Sequence, residues 1–196
     1  MNRIDYQIQQ AHGGILNIGC GDDPAGFHRY PGAVSFDMDT WDFPNFVQGD
    51  CAHLPFADNS FDTAVLGDVL EHCLDPDQAV REAARVARRV VMTIPEELLL
   101  PSVGQHIEEG IRARADHYRA YYGLTGTHDE VIAAQKAMAP NFVHSVPESV
   151  QAHDGHINRF DDAWVQRLIQ ASGKSVIDFD KVSDGSGWLG WWITLE

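Results

Sequence analysis

Short apolar runs recur along the first half of the chain, and each is bounded by Gly, Pro or Asp. Five of them occupy residues 15–19, 33–38, 46–49, 62–67 and 89–95. Runs of this length with such boundaries are typical of buried parallel strands. The pattern therefore predicts a sheet whose strands are joined by crossover segments.

A helical segment separates the fourth run from the fifth. Residues 76–88 place Ala and Val at helical spacing, with Arg and Glu between them. Asp75 is a natural N-cap, and Pro76 suits the first helical position. A strand, a helix and a strand in this order predict a parallel sheet with right-handed crossovers.

The second half of the chain breaks this alternation and then resumes it. Residues 97–160 hold two predicted helices, 106–122 and 128–139, and a segment of this length between strands predicts a substrate lid insertion. Residues 161–171 are amphipathic and lead to Gly173, a predicted helix C-cap. The runs 176–179 and 188–195 predict an antiparallel hairpin that closes the sheet.

Charge and cysteine content narrow the class of protein. The 196 residues hold 14 Lys and Arg against 29 Asp and Glu, a net charge of −15, which disfavours a nucleic-acid partner. Three cysteines without a CxxC pair favour a reduced, cytoplasmic protein over a disulfide framework. The chain shows neither a signal peptide nor a run long enough to cross a membrane.

A glycine turn with acidic surroundings is the first candidate site. Gly19 and Gly21 follow the first run and allow a tight turn with close approach to a ligand. The dinucleotide fingerprint needs Gly or Ala where this chain has Pro24, which disfavours an NAD-dependent oxidoreductase. Residues 20–75 hold eleven acids and one Arg, so a pocket here suits a ligand with positive charge and hydroxyls rather than phosphates.

Two aspartates extend this site. Asp37 ends the second run, where a carboxylate can accept two hydrogen bonds from a ribose diol, with Asp39 as the alternative. Asp50 follows the third run and can accept from an exocyclic amine, while the backbone N–H of Cys51 meets a ring nitrogen. A turn or cap role is the alternative for each aspartate.

These motifs, taken in order, resemble the class I S-adenosylmethionine-dependent methyltransferases, especially their type-11 branch. The matching segments are 15–21, 36–37, 49–56, 58–62 and 68–72, and residues 156–160 and 164–173 are similar to that family's late helix. The resemblance implies S-adenosylmethionine as cofactor and S-adenosylhomocysteine as product. It also implies a doubly wound, Rossmann-like fold: one α/β domain over residues 1–196, with a seven-stranded sheet, its last strand antiparallel, and helices on both faces.

The resemblance also assigns residues to parts of the cofactor. It places Gly19, Cys20 and Gly21 along the methionine and ribose, Asp37 at the ribose hydroxyls, Met38 against the adenine, Asp50 and Cys51 at the adenine edge, and Leu66, Gly67 and Asp68 beside the methionine and the methyl group. His72 is the candidate general base by its position in the motif, and a packing role is the alternative. The histidine spacing predicts no metal site.

The predicted function is methyl transfer to a small-molecule acceptor through an O, N or C nucleophile. A non-catalytic or regulatory protein that binds S-adenosylmethionine is one alternative. A macromolecule methyltransferase is another, because several arginines of residues 81–119 can cluster. Both a monomer and a homodimer fit the sequence.

Overall fold

A computed structural model of the chain describes residues 1–21, 29–73, 75–96, 158, 160–183 and 189–196. The strands are β1 (Ile15–Ile18), β2 (Val34–Asp37), β3 (Phe46–Gln48), β4 (Phe61–Gly67), β5 (Ala87–Pro95), β6 (Val176–Ser183) and β7 (Leu189–Leu195). The helices are α1 (Arg3–Gln10), α2 (Pro76–Val86) and α3 (Asp162–Ser172), and a 3₁₀ turn covers Leu70–His72.

The strands form one sheet in the order β3-β2-β1-β4-β5-β7-β6. Strands β1 to β5 are parallel, with Leu16 of β1 paired to Val34 of β2 and to Ala64 of β4. Strand β7 runs antiparallel between β5 and β6, and Thr93 pairs with Trp192 there. The predicted seven-stranded, doubly wound sheet with an antiparallel last strand is confirmed.

Helices cover both faces of the sheet, as predicted. Helices α2 and α3 pack on one face, where Leu16, Val80, Leu168 and Trp191 belong to the larger buried cluster. A smaller cluster on the other face contains Trp192, together with side chains of α1, β4 and β5. The alternation of the sheet therefore sends the two adjacent tryptophans to opposite faces.

Helix ends follow the predicted local signals. The Asp75 carboxylate accepts from the Gln78 backbone N–H at 2.9 Å, with Pro76 opening α2. Gly173 has φ +66° and ends α3 in the left-handed conformation. Helix α2 ends two residues earlier than expected, because Ala87 is already extended and begins β5.

Helix α1 was not predicted from the sequence. The Asn2 side chain caps its first turn by accepting from the Asp5 N–H at 2.9 Å. The Tyr6 ring is 1% exposed and stacks on Trp192 with centroids 5.0 Å apart. The Tyr6 hydroxyl bonds to the Thr194 hydroxyl at 2.8 Å, so the helix is fixed to the antiparallel part of the sheet.

Side chains of α2 hold the loop that follows β3. Glu82 accepts from the Leu54 N–H at 2.9 Å, and Arg85 donates to the carbonyls of Leu54 and Phe56 at 3.0 and 2.8 Å. Arg85 also pairs with Glu82 through two N–H groups at 2.7 and 2.8 Å. These bonds lower the pKa of Glu82, the Arg85 hydrogen bonds contributing most. The pair fixes the backbone of the loop on the helix.

Strand β6 forms an open edge of the sheet. Val176, Ile177 and Phe179 are exposed there, and a β-bulge lies between Val176 and Asp178.

Most of the predicted lid (97–157 and 159) and the loop 184–188 lie outside the described residues. Among the helices described, none combines the length and apolar character needed to cross a bilayer.

We expect Tyr6→Ala to lower the free energy of unfolding by about 3–5 kcal/mol, because it removes a buried ring from the interface of α1 with the sheet. Urea unfolding measures this change. Ile8→Ala in the same helix is the matched control, since Ile8 is 42% exposed, and its effect is within about 0.5 kcal/mol. Equal effects of the two substitutions would show that α1 does not dock through Tyr6.

We expect Glu82→Gln to lower stability at neutral pH by about 1–2 kcal/mol, because it removes a charged acceptor from Arg85 and Leu54. The folded pKa of Glu82 is depressed, so its contribution is present above the ordinary value of 4.5 and is lost as pH falls through the folded pKa. The difference between wild type and variant should therefore shrink below about pH 4.5 in urea unfolding. Asp58→Asn is the control, since this second partner of Arg85 is exposed. A difference that stays constant with pH would contradict the assignment.

Candidate cofactor site at the ends of the parallel strands

A cavity of about 590 Å³ opens at the carboxyl ends of β1 to β4. In doubly wound sheets this crevice, where the strand order reverses, is the usual ligand site. Its lining residues are Gly19, Gly21, Phe36, Asp37, Met38, Asp39, Trp41, Gly49, Asp50, Cys51, Ala52, His53, Asp68, Val69, His72, Cys73, Asp75 and Gln78. Eight of the eleven residues proposed from the sequence are among them.

The glycine turn after β1 is held by backbone hydrogen bonds to β2. The N–H groups of Gly19 and Cys20 both donate to the Phe36 carbonyl, at 2.8 and 3.2 Å. Gly19 has φ +68°, and a Cβ there would lie 2.5 Å from a methyl of Val69. Only glycine fits this position, so the backbone itself forms that part of the wall.

Asp37 ties the glycine turn to the loop after β2. One carboxylate oxygen accepts from the Gly21 N–H at 2.8 Å, and the other accepts from the Asp39 N–H at 2.9 Å. Both oxygens keep lone pairs for a further donor. Met38 follows Asp37 on the same wall. The predicted acid is thus held in a fixed orientation at the cavity.

Asp50 organises the loop after β3. Its carboxylate accepts from the Ala52 N–H at 2.9 Å and lies 3.0 Å from Nδ1 of His53. The His53 N–H donates to the Asp50 carbonyl at 2.9 Å. Cys51 lies in this turn and also lines the cavity. This is the loop that Glu82 and Arg85 hold from α2.

Asp68 lies at the end of β4 in the left-handed conformation, with φ +56°. Its carboxylate accepts from the Thr93 hydroxyl at 2.9 Å and from Nε of Arg3. Thr93 in turn accepts from the Gln7 amide at 2.8 Å, and the Tyr30 hydroxyl donates to Gln7 at 3.4 Å. A chain of buried polar groups that begins in α1 thus orients Asp68. The sequence predicted Asp68 but gave no sign of these hydrogen bonds.

His72 is half-buried in the 3₁₀ turn and lines the cavity, as the candidate base must. Asn158 closes this turn from the far part of the chain. Its side-chain amide donates to the carbonyls of Leu70 and Cys73, and its N–H donates to the Glu71 carbonyl at 3.0 Å. Only the similarity of residues 156–160 to a late helix pointed to this region.

Three proposed residues lie beside the cavity without lining it. Leu66 is fully buried in the core. A Cβ on Gly67 would lie 2.5 Å from the Gln7 amide, so the lack of a side chain here lets α1 pack against β4. Burial, and then the charge of Asp37, raises the pKa of the half-buried Cys20 thiol to about 12. Leu66 and Gly67 can therefore offer only backbone atoms to a ligand.

The lining also includes residues that sequence reasoning did not select. Trp41 lies in the loop after Asp37, and its indole N–H is buried without a hydrogen-bond partner in the described part of the chain. Val69 and Asp75 join the wall from the region between β4 and α2, and Gln78 joins it from the first turn of α2. Of these residues, only Trp41 could have been proposed from the sequence, because it is an aromatic residue shortly after the acidic end of β2.

The wall of the cavity is acidic. Its described lining contains five aspartates and neither Lys nor Arg. Such a wall attracts a cation and repels phosphate. Across the described ranges, no three His, Cys, Asp or Glu side chains are arranged to hold a metal ion.

Comparison with known proteins identifies a family for part of the chain. Residues 32–91 match the family model described as a methyltransferase domain. An uncharacterized protein of Escherichia coli strain K12 is 51% identical over 43 residues, which are 22% of this chain and 18% of that protein. The ubiquinone/menaquinone biosynthesis C-methyltransferase of Haemophilus ducreyi is 43% identical over 44 residues, 22% of this chain and 17% of that protein. The matches span less than a fifth of each relative's length.

The fold is shared over a longer stretch than the sequence. The 1,6-didemethyltoxoflavin-N1-methyltransferase of Burkholderia thailandensis superimposes with a TM-score of 0.55 at 11% identity, over 98% of this chain and 77% of that one. Its likeness concerns the fold alone. Sheet order and matched segment agree with the resemblance drawn from the motifs: the chain has the fold of the class I S-adenosylmethionine-dependent methyltransferases, and its residues 32–91 match a methyltransferase domain.

Proposed function

We propose that this chain is an S-adenosylmethionine-dependent methyltransferase that acts on a small-molecule acceptor. The observation that carries the proposal is the acidic cavity at the strand ends, built from the motif residues themselves. S-adenosylmethionine carries a sulfonium, an ammonium and ribose hydroxyls, and it lacks phosphate. The charge and donor needs of this ligand match the wall.

Each part of the ligand has a candidate partner. Asp37 is fixed by two N–H donors and keeps lone pairs for the ribose hydroxyls. Met38 packs on the adenine, with Asp50 and the backbone of Cys51 at its edge. Asp68, oriented by Thr93, is the proposed partner of the ammonium. Gly19, Cys20, Gly21, Leu66 and Gly67 contribute backbone beside the methionine and ribose.

When bound, the cofactor supplies an electrophilic methyl group on its sulfonium. The chain's own task is then alignment, because the substitution chiefly needs the nucleophile in line with the methyl. His72 is the proposed group that accepts a proton when the acceptor nucleophile carries one. Its place on the cavity wall supports this role.

The names of relatives and neighbours support a small-molecule acceptor. One relative is a quinone-biosynthesis C-methyltransferase, and one structural neighbour was solved with 1,6-didemethyltoxoflavin. Three of the four arginines in residues 81–89 argue against a nucleic-acid substrate, because Arg85, Arg88 and Arg89 each pair with a carboxylate. We assign the lid role to residues 97–160 and a cytoplasmic setting, which the three free thiols favour.

We expect calorimetric titration to detect binding of S-adenosylmethionine and S-adenosylhomocysteine, with none for NAD. Asp37→Asn should weaken S-adenosylhomocysteine binding by about tenfold or more, because it removes a charged acceptor from the ribose. Asp42→Asn is the matched control, since Asp42 is exposed in the following loop and does not line the cavity. Equal affinities of the two variants would overturn the ribose assignment. Failure of the wild-type protein to bind either ligand would overturn the proposed function.

We expect Gly19→Ala to reduce the affinity for S-adenosylhomocysteine more than Gly21→Ala does. Both glycines have positive φ, which costs an alanine about 1–2 kcal/mol. Only at Gly19 does the new Cβ also meet Val69, at 2.5 Å, whereas nothing lies within 4 Å at Gly21. Titration of both variants, after urea unfolding confirms that each is folded, separates the clash from the shared backbone strain. A larger loss for Gly21→Ala would show that Val69 gives way.

A further inference from the structure

Two of the three thiols are in direct contact at the cavity wall. The Sγ atoms of Cys51 and Cys73 are 3.3 Å apart, although 22 residues separate them. Cys51 lies in the loop after β3, and Cys73 directly follows the 3₁₀ turn. Both residues line the cavity, so their contact joins two sides of its wall.

The two cysteines differ in their surroundings. Cys51 is half-buried, whereas Cys73 is buried and its thiol also donates to the Val69 carbonyl at 3.4 Å. The hydrogen bond with Cys51, and then burial, raise the pKa of the Cys73 thiol well above its usual range. Greater exposure and the raised pKa of Cys73 make Cys51 the first thiol that an oxidant meets, and the 3.3 Å contact between the sulfurs makes Cys73 its nearest partner.

We propose that Cys51 and Cys73 are an oxidation site that forms a reversible disulfide across the cavity wall. The oxidant is a peroxide, which is small and neutral, since the aspartates of the wall repel anionic oxidants such as oxidised glutathione. Cys51 attacks one peroxide oxygen, so that hydrogen peroxide leaves one water and Cys51 becomes a sulfenic acid. The Cys73 sulfur then displaces hydroxide from this sulfenic acid, and its proton leaves with the hydroxide as a second water.

The bond needs little movement of the chain. A disulfide requires an S–S distance of about 2.05 Å, so the sulfurs must approach by roughly an ångström. Cys73 is adjacent to His72, the proposed base, and Cys51 is adjacent to Asp50, at the proposed adenine edge. Movement of the two cysteines toward each other therefore displaces both of these groups. This consequence rests on the proposed function: the disulfide weakens cofactor binding by about tenfold, the effect of one lost hydrogen bond.

The sequence makes the test direct, because one tryptic peptide contains both cysteines and another contains Cys20. Residues 30–81 hold Cys51 and Cys73, and residues 4–29 hold Cys20. The protein is treated with hydrogen peroxide, denatured, alkylated and digested. We expect peptide 30–81 to be unlabelled and lighter by two hydrogens, peptide 4–29 to be labelled, and dithiothreitol to restore labelling of both cysteines.

Variants and ligand titration complete the experiment. Cys20→Ser should keep the cross-link, whereas Cys51→Ser should abolish it, and Cys73→Ala is the second variant because Cys73 is buried. Labelled Cys51 and Cys73 in peroxide-treated wild type, or a cross-link only between chains, would overturn the site. A disulfide that leaves S-adenosylhomocysteine affinity unchanged would overturn its effect on binding. A reduced protein that forms the disulfide on oxidation but binds no S-adenosylhomocysteine would overturn the proposed function and leave the disulfide assigned.

Discussion

The contact between the Gly19 backbone and Val69 is the constraint on which the cavity depends. A side chain at Gly19 would occupy the space of the Val69 methyl groups, and the left-handed backbone turn there suits glycine. Because the chain turns at this point, the N–H groups of Gly19 and Cys20 reach the Phe36 carbonyl, and that of Gly21 reaches Asp37. The ends of β1, β2 and β4 are thereby fixed together. Gly19 therefore determines the shape of the cavity wall by allowing this tight turn, and its role is not to make the loop flexible.

The acidic wall is held in place before any ligand arrives. Asp37, Asp50, Asp68 and Asp75 each accept at least one hydrogen bond from a backbone N–H or a side chain. Oriented carboxylates of this kind stabilise a cation without rearranging, and rearrangement is the main cost of electrostatic recognition. Arg3 pairs with Asp68 of the wall, whereas Arg85, Arg88 and Arg89 pair with carboxylates outside it, so the other four aspartates keep their negative potential.

Local signals predicted most of the fold and much of the site. Seven apolar runs became seven strands, and Asp75 with Pro76 marked the start of α2, because strand burial and helix capping depend on neighbouring residues. Helix α1 was missed because it is short and its stability comes from distant partners of Tyr6 on β7. The contact of Cys51 with Cys73 likewise depends on the crossover that brings two loops together. Periodicity carries no information about such pairs.

The open edge at β6 follows from the insertion of β7, the last strand of the chain, between β5 and β6. Backbone donors and acceptors on such an edge can pair with any other extended chain, and the exposed Val176, Ile177 and Phe179 make that pairing more favourable. This surface is interrupted by a β-bulge and by three charged residues, Asp178, Asp180 and Lys181. Charged residues and bulges are the usual means of preventing edge-to-edge aggregation. The sequence of β6 is therefore constrained mainly by the need to avoid aggregation, and less by packing in the core or by the chemistry of the cavity.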